Sequence, residues 1–206
     1  MRKLFVDTSS HRWSTNVSVG GTFDTEYSYA IGYREAADIL VDRAILLKPP
    51  TKDRLFYPIC FNYRQFIELA LKQLIMIAEQ FYKKTEYLGY EKGTFHSDEL
   101  KDTHSIEKLL NWLLDILQCV ADEEFDPEIK ALIIEFHNMD PTGQKFRYPI
   151  STHDIASFPI PSFFDLAKLK TGLKRISDYF SGIDGYLDYY DSLADSMIDE
   201  SQAYWR

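Results

Sequence analysis

Cysteine is scarce: Cys60 and Cys119 are the only two in 206 residues, each alone in an apolar stretch. The absence of any CxxC spacing argues against structural zinc and makes a reduced, cytoplasmic setting the expected one. Long apolar runs are missing too. No segment approaches the roughly 18 apolar residues of a membrane span, and the opening MRKLFVDTSSHRW carries no stretch suited to a signal peptide. Gly20-Gly21 lacks the surroundings of a dinucleotide or P-loop fingerprint, no GxSxG elbow occurs, and no histidine pair has HExxH spacing. No cofactor and no metal are therefore expected. Positive charge is short as well: 23 Lys and Arg against 32 Asp and Glu give a net charge of -9. A broad, non-specific nucleic-acid surface needs clustered cations, which this balance argues against, whereas a small RNA site using one or two arginines is compatible with it.

Apolar and aromatic residues are plentiful. They make up 45% and 15% of the chain, with 27% charged, the make-up of one globular domain with a sizeable core. Residues 1–24 read as an irregular segment rich in turn formers, with Leu4-Phe5-Val6 and Val17-Ser18-Val19 as candidate short strands. Residues 25–206 read as one helical domain. Its first helix runs from Glu26 to about Leu47, with Tyr29, Tyr33, Ala37, Leu40 and Ala44 at helical spacing and Pro49-Pro50 as the stop. A second runs from Leu55 or Tyr57 to Lys84, so that Pro58 falls in its first turn, and residues 85–101 read as a loop. The third is capped from Asp102, Thr103 or Ser105 and carries an Ile106, Leu109, Leu110, Leu113, Leu117, Val120 stripe. A fourth spans Pro127 to Asn138, followed by an Asp140-Pro141-Thr142-Gly143 turn and an extended connection to Pro161. A fifth covers Ser162 to Phe180, and Gly182-Ile183-Asp184-Gly185 separates it from a last, acidic helix, Tyr186 to about Ala203. The expectation is an all-α antiparallel bundle of five to six helices with an irregular N-terminal segment.

The second helix is unusual on a wheel of about 100° per residue. With Cys60 at zero, Ile67, Leu71, Leu74 and Ala78 form its apolar stripe, yet Arg64 falls at about 40° and Glu68 at about 80°, within or beside that stripe. Burying an ion is costly unless it is paired and hydrogen-bonded, so the two charges need a purpose. One reading is a satisfied network tying neighbouring helices; the other is the lining of a site. Such a helix, apolar on most of its circumference, is either central in the bundle or covered by a second subunit.

Residues 57–72, YPICFNYRQFIELALK, resemble the long helix of HEPN-like bacterial proteins (higher eukaryotes and prokaryotes nucleotide-binding), with an aromatic-Arg pair followed by Glu, Leu and Lys. Thr103-His104-Ser105-Ile106-Glu107-Lys108-Leu109 looks like the start of the following helix there, and Phe146-Arg147-Tyr148-Pro149 resembles a further aromatic-Arg-Tyr-Pro element. The resemblance covers roughly residues 27 to 180. It implies an all-helical protein of a prokaryotic phage-defence or toxin–antitoxin system, working as a homodimer with a protein partner from the same system. It also implies a metal-independent endoribonuclease or a degenerate relative, with an Arg-x4-6-His motif on RNA. In that chemistry a histidine moves a proton at the 2′-hydroxyl and an arginine stabilises phosphate charge. Here Ala70 stands six residues after Arg64, and the spacing recurs at Arg147 and His153, on a stretch containing Pro149.

The candidate catalytic residues are thus Arg64, Glu68, His104, Arg147 and His153. His104 has a second reading as a helix-start residue beside Asp102 and Thr103, and His137 suits the end of its helix. Tyr186, Tyr189, Tyr190 and Leu193 on the acidic last helix are candidates for gripping a partner. The alternative to catalysis is a non-catalytic adaptor, or a protein binding a nucleotide or small ligand near Arg64, Glu68 and His104.

Overall fold

The computed structural model describes residues 17, 19, 25–87, 97–120, 124–150, 157, 158, 160 and 162–204. The expected N-terminal irregular segment and its two short strands lie almost wholly outside these residues. The described chain is an all-α bundle of six helices: α1 (Glu26–Ile45), α2 (Thr51–Tyr87), α3 (Ser97–Leu100), α4 (Ile106–Val120), α5 (Pro127–Met139) and α6 (Leu166–Tyr204). Among them, no helix is long and apolar enough to cross a membrane.

The local chemistry explains most boundaries. Thr25 caps α1 by accepting from the Ser28 amide, and Asp126 caps α5 by accepting from the Glu128 and Ile129 amides beside Pro127. Ser105, the last of the three candidate caps, accepts from the Lys108 amide at the start of α4. α4 buries Ile106, Leu109, Leu110 and Leu113, and Trp112 and Ile116 join them although they lay outside the expected stripe. In α1 the buried residues are Ala30, Ala37, Val41 and Ala44, while Tyr29 is exposed. Small residues let α1 approach α2 closely, and Tyr63 closes the contact by donating to Asp38 at 2.6 Å.

Three expected boundaries require correction. First, α2 begins at Thr51, so Pro58 lies inside it and not in its first turn. Pro58 and its neighbours Arg54 and Tyr57 face solvent, where water satisfies the carbonyl that a proline leaves without a donor. Second, α2 persists through Tyr87 and a short α3 occupies 97–100, both within the stretch read as loop. No breaker interrupts residues 85–87, so the helix propagates. Third, Gly182 to Gly185 do not divide the last segment: α6 is one helix of 39 residues, and residues 162–165 before it are not helical. Phe180, Ile183, Leu187 and Ala194 continue a single inward stripe across the glycines, and this packing outweighs a penalty of about 1 kcal/mol per glycine.

Three contacts show that α6 runs parallel to α2. Phe164 stacks on Phe56, Phe180 meets Phe66, and Asp191 and Asp195 bind Lys84. The long connection from residue 140 to 165 makes that direction possible. α1 is antiparallel to both, since Asp42 and Arg34 contact Lys170 and Ser177 of α6 in reversed order. α2 is therefore the central helix, buried from Ile59 to Tyr82 on most of its circumference.

Candidate functional site

Midway along α2, Arg64 points inward with 2% of its surface exposed. No water reaches its guanidinium, so each donor must find a protein acceptor. Nη1 donates to Glu68 Oε2 at 2.8 Å, Nη2 to the His104 carbonyl at 2.6 Å, and Nε to the Asp140 carbonyl at 3.4 Å. The Asp140 carboxylate adds its charge, with Oδ2 3.8 Å from Nε. One side chain thereby joins α2, the segment entering α4 and the turn leaving α5.

That turn is built for the guanidinium. Asp140 Oδ1 accepts from the Gln144 and Lys145 amides at 2.9 and 3.0 Å, and the Gly143 amide donates to the Asp140 carbonyl. Gly143 has φ of 73°, a left-handed conformation that side chains rarely adopt. A Cβ there would also stand 2.8 Å from Arg64 Cζ, so the position excludes every side chain on two grounds.

Glu68 is 4% exposed and carries the network outward. Its Oε1 accepts from Lys72 at 3.1 Å and from His104 Nδ1 at 2.8 Å. Burial works to raise this carboxyl, but the His104 hydrogen bond, the Lys72 charge and the Arg64 hydrogen bond together hold it below its ordinary 4.5. It is a carboxylate, and a carboxylate only accepts. Nδ1 of His104 therefore bears a hydrogen, which fixes the tautomer in which Nε2 holds the lone pair. The His104 side chain is 67% exposed and Nε2 has no partner among the described residues. A buried carboxylate thus fixes the tautomer and direction of a solvent-facing imidazole.

Arg147 borders the same network. Its Nε donates to the Gly143 carbonyl at 2.7 Å and its guanidinium lies over the Tyr148 ring, 5.5 Å from the centroid. The residue is exposed, and its terminal amino groups have no partner among the described residues. The structure thus gathers Arg64, Glu68 and His104 into one hydrogen-bonded chain, with Arg147 at the edge of the turn that holds Arg64. Arg64 and Glu68 are buried with every nitrogen and carboxylate oxygen hydrogen-bonded, while His104 and Arg147 face solvent. His153 lies outside the described residues. His137, read as a helix-end residue, is buried with Nε2 3.5 Å from Glu107.

Asp140, Gly143 and Lys72 were missed as site residues. Lys72 had a signal, because Glu before Lys at i,i+4 is the favoured order. Asp140 and Gly143 were legible only as a turn. Among the described residues no group of His, Cys, Asp and Glu is arranged to hold a metal ion. Comparison with known protein families, with curated proteins and with solved structures gave no significant match.

Proposed function

We propose that the chain is a HEPN-like helical protein of a prokaryotic phage-defence or toxin–antitoxin system, a cytoplasmic homodimer that cleaves RNA without a metal ion. The observation carrying this reading is the exposed His104 imidazole held through Nδ1 by buried Glu68. A free Nε2 takes the proton of an RNA 2′-hydroxyl; the 2′-oxygen then attacks phosphorus and the P–O5′ bond breaks. The proton returns to the departing 5′-oxygen, directly or through solvent. Arg147 supplies positive charge for the phosphate oxygens. Glu68 and Arg64 are positioning residues: Glu68 orients the ring and Arg64 anchors Glu68. DNA lacks the attacking hydroxyl and is not a substrate.

The test is incubation of single-stranded RNA, and DNA of the same sequence, with the full chain in EDTA. The proposal expects RNA products ending in a 2′,3′-cyclic phosphate and intact DNA, with cleavage weakened in Arg147→Ala and compared with that of His153→Ala. RNA left at background level by the wild-type chain would sink it. Sedimentation addresses the dimer, and a monomer at micromolar concentration counts against that part of the proposal.

A second reading has its own observation. A cavity of about 410 Å³ between α2, α5 and α6 is lined by Phe56, Phe136, Phe146 and Leu173, with Cys60 in its wall and Phe163, 99% exposed, at its lip. Its size and apolar walls suit a small apolar ligand, and point to binding without chemistry. Binding of a small hydrophobic fluorescent dye that is unchanged in His104→Ala and weakened in Phe163→Ser would favour it.

A further inference from the structure

The acidic end of α6 carries a feature that neither reading uses. α4 and α6 enclose an open groove of about 670 Å³, with Leu114 and Leu117 on one side and Tyr179, Gly182, Ile183 and Tyr186 on the other. Beyond it, Tyr189, Leu193 and Met197 continue along α6 as exposed large apolar residues. At about 100° per residue, Gly182, Tyr186, Tyr189, Leu193 and Met197 fall within an arc of about 80°. Groove and stripe are one surface, about 22 Å long from Gly182 to Met197.

Gly182 adds an independent observation. A glycine inside a long helix costs about 1 kcal/mol against alanine, which is usually tolerated where another backbone must come close. Here a Cβ on Gly182 or Gly185 would meet nothing within 4 Å. Nothing in the described fold uses the missing side chain, and Gly182 lies on the groove wall, where a helix from outside would approach.

Charge selects the occupant. Between Arg175 and Arg206 there is no Lys or Arg, while α6 carries Asp184, Asp188, Asp191, Asp195, Asp199 and Glu200. Among the described residues, Lys84 pairs with Asp191 and Asp195. Glu124 and Lys130 also line the groove, one charge of each sign, and Asp178 pairs with Lys174. A second copy would set this acidic segment against itself, and nucleic acid or an anionic membrane is repelled for the same reason. We propose that the α4–α6 groove and its exposed continuation dock an amphipathic helix of a partner protein, apolar on the contact face and flanked by Lys or Arg. This mode lays one helix face into a hydrophobic groove. It stands apart from the His104 site and does not depend on cleavage.

Two labelled synthetic helices of about 18 residues serve as probes, one patterned with Leu and Lys, the other with Leu and Glu, titrated against the full chain by fluorescence anisotropy at physiological salt. The wild-type chain binds the Leu/Lys helix and not the Leu/Glu helix. Gly182→Trp, which places a ring in open space, keeps the unfolding midpoint but weakens binding at least about tenfold. Leu193→Ser, at an exposed position, does the same if the first variant folds poorly. Three results overturn the proposal: no binding of the Leu/Lys helix, equal binding by wild type and both variants, or self-association of wild type that Gly182→Trp abolishes. The last would assign the groove to a second copy.

Discussion

Arg64 is worth most to this protein because its surroundings leave it no alternative. Replacing it by Met strips the Glu68, His104 and Asp140 acceptors of a donor and leaves Glu68 buried with less compensation. Breaking a buried ion pair from one side costs about 3–5 kcal/mol, so Arg64→Met should lose that much in denaturant unfolding. Gly143→Ala should lose about 1–3 kcal/mol from the left-handed backbone alone, before its collision with the guanidinium is counted. Glu68 gives a pH signature. Its folded carboxyl lies below 4.5 and its unfolded one near it, so its ionised contribution is complete above 4.5 and vanishes as pH falls through the folded value. The stability gap between wild type and Glu68→Gln should therefore be full above 4.5 and close as pH falls through the folded value below it. A gap independent of pH would show that the carboxylate charge is not what the network uses. At this scale the sequence was informative about Arg64 and Glu68, since two charges inside an apolar stripe are visible on a wheel. It was silent on Asp140 as a partner, because that contact spans 76 residues and exists only once α5 is docked.

Helices were legible where one face alone explains them. α4 shows this best: its leucine stripe and capping Ser105 fix both its existence and its buried side. α6 shows the opposite. Gly182 and Gly185 signal a break locally, yet the inward stripe from Leu173 to Ala194 runs through them, and tertiary packing decides. Because both glycines are helical and a Cβ at either meets open space, Gly182→Ala and Gly185→Ala should each stabilise the protein by about 0.4–1 kcal/mol. Chemical denaturation checks this, and a loss of stability would mean that the helix does not pass straight through. α2 began earlier than its proline suggested, since Pro58 lies on a wet face where a lost hydrogen bond is replaced by water.

Taken whole, the molecule is an acidic helical bundle organised around one buried helix, with its candidate chemistry at one place and its apolar groove at another. Each nitrogen of buried Arg64 donates to a protein acceptor, which on the proposed reading makes it a positioning residue. The reactive group on that reading is His104, the most exposed side chain hydrogen-bonded to Glu68. On the proposed reading a structural lock and a site are two ends of the same chain of hydrogen bonds, and replacing His104 is the change that separates them. The decisive measurement is single-turnover RNA cleavage in EDTA by wild type and His104→Ala, with unfolding midpoints measured on the same samples. The imidazole is mostly exposed and Arg64 binds its backbone carbonyl, so the variant should keep close to wild-type stability while cleavage falls at least about a hundredfold, the low end of what a general acid–base group contributes. Cleavage by wild type that His104→Ala leaves unchanged would contradict the account.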